Sequence, residues 1–341
     1  MGREENVKIF EDTERAYKSN PVLKEAVRAS VKQQIMIPEG ADIAELFREH
    51  DTDFKEHLME PDEMDSLKDT LEAVNSDPGI VYGKESGEDS GNRDGGEAFV
   101  ESRENGTSVS KKKSHKATVL VSDKRTLQAA GGYRGKRIAV HNFASATNPG
   151  GGVTRGSSAQ EEALCRCSTL FPCLNTSELW NAFYQKHRQL HDAVYNDDLI
   201  YTPNVIAFKT DTSSPRMMAE KDWYSVNVIT CAAPNLREKP SNAMNPQAGT
   251  NRVILSDQEL LEVHIKRGRR IFETAKQTGN EVLILGAFGC GAFRNPPEIV
   301  AKAYKTLLNE YRDDFETIEF AVYCPPKDDR NYQVFRKTIL F

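Results

Sequence analysis

The 341-residue sequence contains no long apolar run. No segment approaches the roughly 18 consecutive apolar residues that suggest a membrane-spanning helix. The N-terminus also lacks the basic segment and short apolar core of an export signal. Because 38% of the residues are hydrophobic, the chain can still form a substantial core. We therefore expect a soluble protein of the cytoplasm or nucleus that makes no membrane contact.

Cysteine pairs typical of metal and redox sites are missing. The six cysteines include no C-x-x-C, and Cys165 and Cys167 lie two residues apart in a predicted helix, where they face different directions. No H-E-x-x-H or other metal-ligand spacing occurs. We expect reduced, mostly buried thiols and no metal or other cofactor.

Three common catalytic signatures are also absent. Neither glycine cluster of the chain contains the G-x-x-x-x-G-K-[ST] loop of ATPases and GTPases. Gly286, Gly289 and Gly291 follow a predicted strand, but their order is not that of the dinucleotide-binding motif. No G-x-S-x-G elbow is present for a serine nucleophile. These absences argue against an NTPase, a dinucleotide-dependent enzyme and a serine hydrolase.

Charge is distributed unevenly along the chain. The formal net charge is −6, yet residues 51–110 hold seventeen acidic and five basic residues, a net of −12, so the remainder carries +6. A mildly basic remainder suits a polyanionic or diphosphate-containing substrate. Only 111–116 and 266–270 are strongly basic, and such short clusters are more typical of solvated surfaces than of nucleic-acid sites. Direct binding to nucleic acid is therefore not expected.

Three regions follow from composition and periodicity. Residues 1–50 predict helices that pack on the core, with a break at Asn20-Pro21. Residues 51–115 are acidic and rich in glycine and serine, which is typical of a flexible insert. Residues 116–341 alternate between apolar segments and helical patterns and form the predicted catalytic core.

The core region predicts a three-layer α/β/α fold with a mixed or mostly parallel sheet. Its apolar, β-branched segments predict strands at 117–122, 137–143, 204–208, 225–231, 281–285 and 317–323. Helical spacing is found at 157–170, 176–190, 257–278 and 329–337, and behind the second glycine cluster. Ligands of such sheets bind beyond the carboxyl ends of the strands, where both glycine clusters should lie.

The central stretch of the chain is the first glycine cluster. Gly150, Gly151 and Gly152 lie where a predicted strand leads into a predicted helix. Glycine permits positive φ and close approach of the backbone to a ligand, and a helix N-terminus beside it favours phosphate. Two acids, Glu161 and Glu162, nevertheless begin the helix. An acid that faces a phosphate loop indicates chemistry next to a diphosphate.

A purely structural interpretation of the two acids remains open. Ser158-x-x-Glu161 has the spacing of a capping box, so Glu161 can be a helix cap. Glu162 can be an exposed acid of the first helical turn. Because successive helical residues point about 100° apart, one acid can also orient the helix while the other faces the glycines.

The motif resembles a known family. Three glycines at 150–152, seven intervening residues and Gln160-Glu161-Glu162 resemble the signature of poly(ADP-ribose) glycohydrolases, and Asn148-Pro149 before the glycines is similar to the microbial type. The similarity covers roughly residues 7–35 and 117–338 and leaves the acidic insert outside. It implies a macrodomain fold that binds ADP-ribose and hydrolyses the glycosidic O–C1″ bond of the distal ribose.

The resemblance also implies roles for individual residues. Glu162 would be the catalytic acid, and Glu161 would orient the site and contact the neighbouring ribose or the leaving group. Asn148 would hold the distal ribose hydroxyls. The glycines would approach the ribose and diphosphate, and aromatic side chains would shape the pocket and flank the adenine. The implied binding residues are Asn148, Gly150, Gly151, Gly152, Gln160, Phe288, Gly289, Cys290, Gly291, Phe293 and Phe335, with Tyr332 as a second choice for the adenine.

The implied chemistry agrees with the residue types. Cleavage of a ribosyl bond builds oxocarbenium character and needs a proton for the leaving oxygen, which a carboxyl group can donate. Glu161, the bound diphosphate and exclusion of water would all favour a protonated Glu162. Since only one acid is well placed for proton transfer, we expect the diphosphate and the same Glu162 to position the attacking water.

Several alternatives stay open at this stage. The aromatic residues 288, 293, 332 and 335 can be ordinary core residues. The chain can be a reader that binds ADP-ribose without cleaving it, or an enzyme that removes mono-ADP-ribose from protein or DNA. The favoured hypothesis is a hydrolase that acts on poly(ADP-ribose), or on ADP-ribosylated protein, from chain ends. A reader has no use for paired acids.

Overall fold

The computed structural model describes residues 2–50, 116–241, 252–325 and 327–341. The predicted acidic insert at 51–115 lies outside these ranges. Within them, no helix is long and apolar enough to cross a membrane. The N-terminal region folds as predicted into α1 (Arg3–Ser19), α2 (Pro21–Lys32) and α3 (Ile43–Glu49). Asn20 separates α1 from α2 because its side chain accepts a hydrogen bond from the Leu23 N–H while Pro21 begins the second helix.

Seven strands form one mixed sheet in the order β1-β4-β5-β3-β6-β7-β2. Neighbours from β5 to β2 are parallel, whereas β4 is antiparallel to both β1 and β5. The strands are β1 (Ile35–Ile37), β2 (Thr118–Ser122), β3 (Ile138–Ala144), β4 (Leu199–Ala207), β5 (Tyr224–Ala232), β6 (Val282–Leu285) and β7 (Thr317–Ala321).

Helices follow most strands of the core region, as the alternating pattern predicts. Between β2 and β4 lie α4 (Thr126–Ala130), α5 (Gln160–Cys167), α6 (Leu170–Leu174), α7 (Ser177–Leu179) and α8 (Lys186–Gln189). The residues Trp180–Gln185 join α7 to α8 as a π-helix. The later helices are α9 (Asp257–Gln277), α10 (Pro297–Tyr311) and α11 (Arg330–Leu340).

Two hydrophobic cores lie on opposite faces of the sheet. Along β6, Leu283 and Leu285 belong to one core, while Val282 and Ile284 belong to the other. This alternation follows from the two-residue period of a strand. Helices α3, α9, α10 and α11 cover the first face, and α1 with α4 to α7 covers the second. The predicted three-layer α/β/α architecture with N-terminal helices is thereby confirmed.

Two departures from the sequence prediction affect the sheet. The short edge strand β1 was not predicted, because three residues give too little alternation to recognise. Strand β4 begins at Leu199, five residues earlier than predicted, and its register with β5 shifts between Thr202 and Val205. Every residue of β4 is buried, so no alternation of apolar and polar residues marks its start.

The parallel strands bring the two glycine clusters to the same edge. Strand β3 ends at Ala144 and leads into 145–159, and β6 ends at Leu285 and leads into 286–296. The two strands pair in register through Ile138 and Val282. Both loops therefore leave the sheet at its carboxyl edge, as predicted.

A buried arginine ties one wall of this edge to the sheet. The Arg267 side chain is 1% exposed. Its Nε donates to Asp197 Oδ1 at 2.8 Å, and its Nη1 donates to the carbonyl of Ala232, the last residue of β5, at 2.9 Å. Its Nη2 donates to the carbonyls of Val194 at 2.7 Å and Tyr195 at 3.1 Å. One guanidinium thus holds segment 194–197 against β5.

Replacing this arginine should be costly to stability. We expect Arg267→Leu to lower the free energy of unfolding by roughly 3–5 kcal/mol, because it leaves Asp197 and three carbonyls without their buried donor. Denaturant unfolding measures the loss. Arg269→Leu is a matched control that removes an exposed pair with Glu310 and should cost about 1 kcal/mol or less. Equal losses in the free energy of unfolding for the two variants would contradict the proposed contribution of Arg267 to stability.

Candidate active site

A cleft of about 860 Å³ opens at the carboxyl edge of the sheet. One wall is the first glycine loop with the start of α5, and the opposite wall is the loop 287–293. The residues after β7 and the first turn of α1 also line it. This volume lies within the range of sites that bind a nucleotide-sized ligand.

The first glycine loop needs its glycines for two separate reasons. Gly150 and Gly151 have φ of 63° and 59°, a left-handed conformation that other residues adopt at a cost. A Cβ on Gly151 would also lie 2.6 Å from Glu162 Oε1 and 3.1 Å from Glu161 Oε2. The loop therefore lies directly on the two carboxyl groups.

Glu162 is held by this loop. Its side chain is buried, and its Oε1 accepts a hydrogen bond of 2.9 Å from the Gly152 N–H. Its Oε2 is buried as well and meets no hydrogen-bonding group in the ranges that the structure describes. One carboxyl oxygen is thus fixed by the backbone, while the other makes no hydrogen bond with the described residues.

Glu161 binds the opposite segment, the residues that follow β3. Its Oε2 accepts from the Ser145 N–H at 2.7 Å, and its Oε1 accepts from Asn142 Nδ2 at 3.3 Å. The residue that caps α5 is Ala159, which makes no side-chain capping bond. The interpretation of Glu161 as a helix cap is therefore wrong, because its carboxylate points back toward β3 instead of along the helix.

Burial determines the protonation of the pair. It raises the pKa of Glu161 well above its usual range, and the charge of Glu162 raises it further. The hydrogen bonds from Ser145 and Asn142 oppose this shift. Two adjacent buried carboxylates cannot easily both be ionised, which favours the protonated form of Glu161.

Gln160 lines the cleft, but its side-chain amide forms hydrogen bonds with the surrounding scaffold. Its Oε1 accepts from the Phe143 N–H at 2.9 Å, and its Nε2 donates to the His141 carbonyl at 2.8 Å and to Thr126 Oγ1 at 3.0 Å. The amide thereby joins the start of α5 to the end of β3 and to α4. It fixes the direction in which α5 presents its two acids.

The second glycine loop is braced from behind. Gly289 has φ of 74°, and Asn295 Nδ2 donates to its carbonyl at 3.2 Å and to that of Pro234 at 2.8 Å. His264 Nε2 lies 2.9 Å from Asn295 Oδ1 and orients that amide. Gly289, Gly291 and Phe293 line the cleft. Apart from its chain neighbours, no described residue comes within 4 Å of the position of a Cβ on Gly291, which leaves space for a ligand beside its backbone.

Four of the implied site residues lie behind the cleft instead of lining it. Gly150 packs against Phe171, and Phe288 is buried between His141 and His264, with ring centroids 4.4 and 5.7 Å away. Cys290 directs its Sγ toward the Phe288 carbonyl. Phe335 is fully buried against Tyr304 and Phe320. Tyr332, the second choice for the adenine, packs partly buried against the same core.

The cleft contains an aromatic residue that sequence reasoning missed. Tyr323 lies two residues after the end of β7, lines the cleft and is 44% exposed. The guanidinium of Arg125 stacks 3.9 Å above its ring centroid. Its position after the last strand was a usable signal, because side chains at the carboxyl edge of such a sheet face the ligand.

A second missed group lies beside Phe293. Tyr195 lines the cleft with φ of 62°, which is strained for an aromatic residue. Its ring lies 6.4 Å from that of Phe293, and the guanidinium of Arg237 lies 5.8 Å from the Phe293 centroid. No local pattern in the sequence predicts this cluster, because its members come from three separate loops.

The raised pKa of Glu161 predicts a pH-dependent stability. The folded chain keeps a proton on Glu161 that the unfolded chain has already lost, so stability falls as pH rises from the unfolded to the folded pKa. Glu161→Gln cannot titrate and should gain stability relative to the native chain over this window. Thermal unfolding between pH 4 and pH 9 measures the difference. A stability difference between Glu161→Gln and the native chain that stays constant across this pH range would contradict the prediction.

Comparison with known proteins agrees with this geometry. The family model "Microbial-type PARG, catalytic domain" matches residues 68–210. Poly(ADP-ribose) glycohydrolase (PARG) from Deinococcus radiodurans, solved in complex with ADP-ribose, is 33% identical, with 67% of this chain and 85% of that chain covered and a TM-score of 0.56. The glycohydrolase from Thermomonospora curvata bound to the inhibitor ADP-HPD is 32% identical, with 65% and 78% covered and a TM-score of 0.55.

A further structure of the Thermomonospora curvata glycohydrolase covers 98% of both chains with a TM-score of 0.67 and 23% identity, which supports the fold alone. No curated protein matches the chain. The identity to the Deinococcus radiodurans structure extends over most of that protein, and the family model spans the glycine loop and both acids. The chain belongs to the microbial-type poly(ADP-ribose) glycohydrolase family.

Proposed function

We propose that the chain hydrolyses the ribosyl O–C1″ bond of poly(ADP-ribose), acts from chain ends and releases ADP-ribose. Family membership supports this activity, and so does a cleft with two glycine loops and a buried acid pair. All six cysteines are free thiols, which suits a reducing compartment such as the cytoplasm or nucleus.

The observation that carries the proposal is the hydrogen bond between Glu162 and the glycine loop. Gly152 holds Oε1, so Oε2 is the oxygen that delivers the proton. In the proposed step, Glu162 protonates the leaving ribose oxygen as the C1″–O bond breaks and an oxocarbenium-like centre develops. Water then adds to C1″ and returns its proton to Glu162. The bound diphosphate and Glu162 position that water.

Glu161 supports this step without entering it. Because its pKa is raised and its oxygens bind Ser145 and Asn142, it anchors the end of β3 against α5. We infer that Glu161 orients the pair and contacts the leaving-group side.

The two glycine loops divide the substrate between them. We assign the distal ribose hydroxyls to Asn148 and the ribose and diphosphate to Gly151 and Gly152, because these residues line the cleft beside the acids. Gly289 and Gly291 line the opposite wall of the cleft, and we assign the diphosphate to the backbone of these two glycines as well. Phe293 forms a wall of the ribose pocket, while the residues behind the cleft keep both loops in shape.

The adenine end of the substrate is assigned to Tyr323. Its ring is exposed in the cleft, and Arg125 covers one face of it. An adenine can stack on an aromatic ring or on a guanidinium plane. Phe335 has no exposed surface to offer a base, so Tyr323 replaces it in this role.

A parallel assay tests the proposed function. Incubated with poly(ADP-ribose), mono-ADP-ribosylated protein and ADP-ribosylated DNA, the native chain should release ADP-ribose fastest from the polymer. Glu162→Gln should lower this rate roughly 10²–10⁴-fold, because it removes the general acid. Calorimetry should show that the variant still binds ADP-ribose.

The same assay separates the alternatives. Release from none of the substrates would make the chain a reader of ADP-ribose, and faster release from protein or DNA would make it a mono-ADP-ribosyl hydrolase. Glu162→Asp is a useful companion, because it keeps an acid but shortens the side chain. Full activity of Glu162→Gln would exclude Glu162 as the acid.

The glycine loop provides an independent prediction. Gly151→Ala should reduce the rate of ADP-ribose release by about 10²-fold, because its Cβ displaces the Glu162 carboxyl group. The rate of polymer turnover measures the effect, and circular dichroism checks folding. Gly132→Ala is a matched control, since nothing lies within 4 Å of that Cβ position. Unchanged turnover by Gly151→Ala would mean that the loop does not position Glu162.

A further inference from the structure

Arg188 forms a hydrogen bond with Asn148, which lies just before the three glycines of the first loop. It lies in α8, forty residues further along the chain than Asn148. Its Nη2 donates to Asn148 Oδ1 at 2.5 Å, and its Nε donates to the Thr147 carbonyl at 2.9 Å. Two edges of one guanidinium therefore hold both the side chain of Asn148 and the backbone beside it.

The direction of Arg188 is itself fixed. Its guanidinium lies 4.7 Å from the ring centroid of Trp180, the first residue of the π-helix between α7 and α8. The Nδ1 of neighbouring His187 lies 2.8 Å from the Phe183 carbonyl in that π-helix. A π-helix is rare and costs stability, and it tends to persist where it places a functional side chain. Here the π-helix carries the ring that Arg188 contacts and leads directly into α8, which carries Arg188.

Arg188 is not among the residues that line the cleft, whereas Asn148 is. The guanidinium is therefore connected to the cleft through Thr147 and Asn148, which it holds and which both line the cleft. This position distinguishes Arg188 from the arginines at the cleft surface, such as Arg125 and Arg237.

The contact determines which end of the Asn148 amide each neighbour meets. An amide has an accepting oxygen and a donating nitrogen, and a rotation of 180° exchanges them. Arg188 has only donors, so the rotated amide would place N–H groups against N–H groups. Oδ1 must consequently face Arg188, and Nδ2 is the donating end of the amide, with two N–H groups, and lies 3.4 Å from Thr147 Oγ1.

We propose that Arg188 is a positioning residue that presents Asn148 Nδ2 as a hydrogen-bond donor to a hydroxyl oxygen of the distal ribose. The inference rests on the proposed function, because it assumes that this ribose lies beside Asn148. A ribose hydroxyl that accepts from Nδ2 is held at a set distance from Glu162. Arg188 therefore acts on the reaction through the placement of C1″.

Variants of Arg188 and Asn148 test the role. Arg188→Ala should lower kcat/KM for polymer turnover roughly 10- to 100-fold, since misplacement of a reacting group by about 1 Å costs this much. Arg188→Lys should recover only part of the loss, because one ammonium cannot hold both Thr147 and Asn148. In an Asn148→Ala background, Arg188→Ala should have little further effect, because the two residues act as one unit.

Asn148→Asp tests whether the orientation of the Asn148 amide matters or only its contact with Arg188. Aspartate keeps an oxygen for Arg188 but has no donor for the ribose, so this variant should lose as much activity as Asn148→Ala. Lys186→Ala is the matched control: it removes a cation from the same helix, paired with Asp198, without touching Asn148. It should retain native turnover.

The outcomes against the proposal are distinct. If the losses of Arg188→Ala and Asn148→Ala multiply in the double variant, the two residues act separately and the proposal is overturned. Native activity of Asn148→Asp, or a lower melting temperature of Arg188→Ala with unchanged kcat/KM, overturns it equally. If the native chain releases no ADP-ribose, the proposed function fails, and calorimetry of ADP-ribose binding to the same variants still decides the role of Arg188.

Discussion

The site depends on the contact between a glycine turn and two buried acids. Gly151 leaves no room for a Cβ above Glu162, and the Gly152 N–H binds that carboxyl group directly. Glu161 meanwhile ties the helix to the strand through Ser145. Strand, turn and helix are therefore held by the acids themselves. Burial of two adjacent carboxyl groups costs stability, and the fold retains them at the one position where all three segments meet.

The sequence predicted this centre because its determinants are local. The glycines and acids lie within a dozen residues, and a strand precedes them while a helix follows. Arg188 could not be found in the same way, since its partner Asn148 lies forty residues earlier. Tyr332 and Phe335 show a different limit. Helical spacing indicates that they share a face, but only the packing of α11 shows that this face meets Tyr304 and Phe320. Tyr323 was not predicted, because the adenine was assigned to residues of α11 instead of to the strand end before it.

The bounds of the predicted insert, and with them the division of the chain into three regions, stay a prediction. The family model begins at residue 68, inside the predicted insert. The structure describes residues only up to 50 and again from 116. The helices before this gap and the sheet after it share hydrophobic cores, since Phe10 packs on Phe171 with ring centroids 4.9 Å apart and Phe47 packs on Tyr201 at 5.7 Å. The N-terminal helices are thus part of the catalytic body.

Helix α1 contacts the first glycine loop as well as the hydrophobic core. Asn6 Nδ2 donates to the Gly156 carbonyl at 3.0 Å, and a Cβ on Gly156 would lie 2.1 Å from the Arg3 carbonyl oxygen. The loop after the catalytic glycines therefore packs against a helix that lies 150 residues earlier in the chain. During synthesis α1 leaves the ribosome long before the strand and loop that it must meet, and it has to wait for them with its apolar face exposed. The contact between α1 and the glycine loop can therefore form only after the chain has been synthesised beyond Gly156.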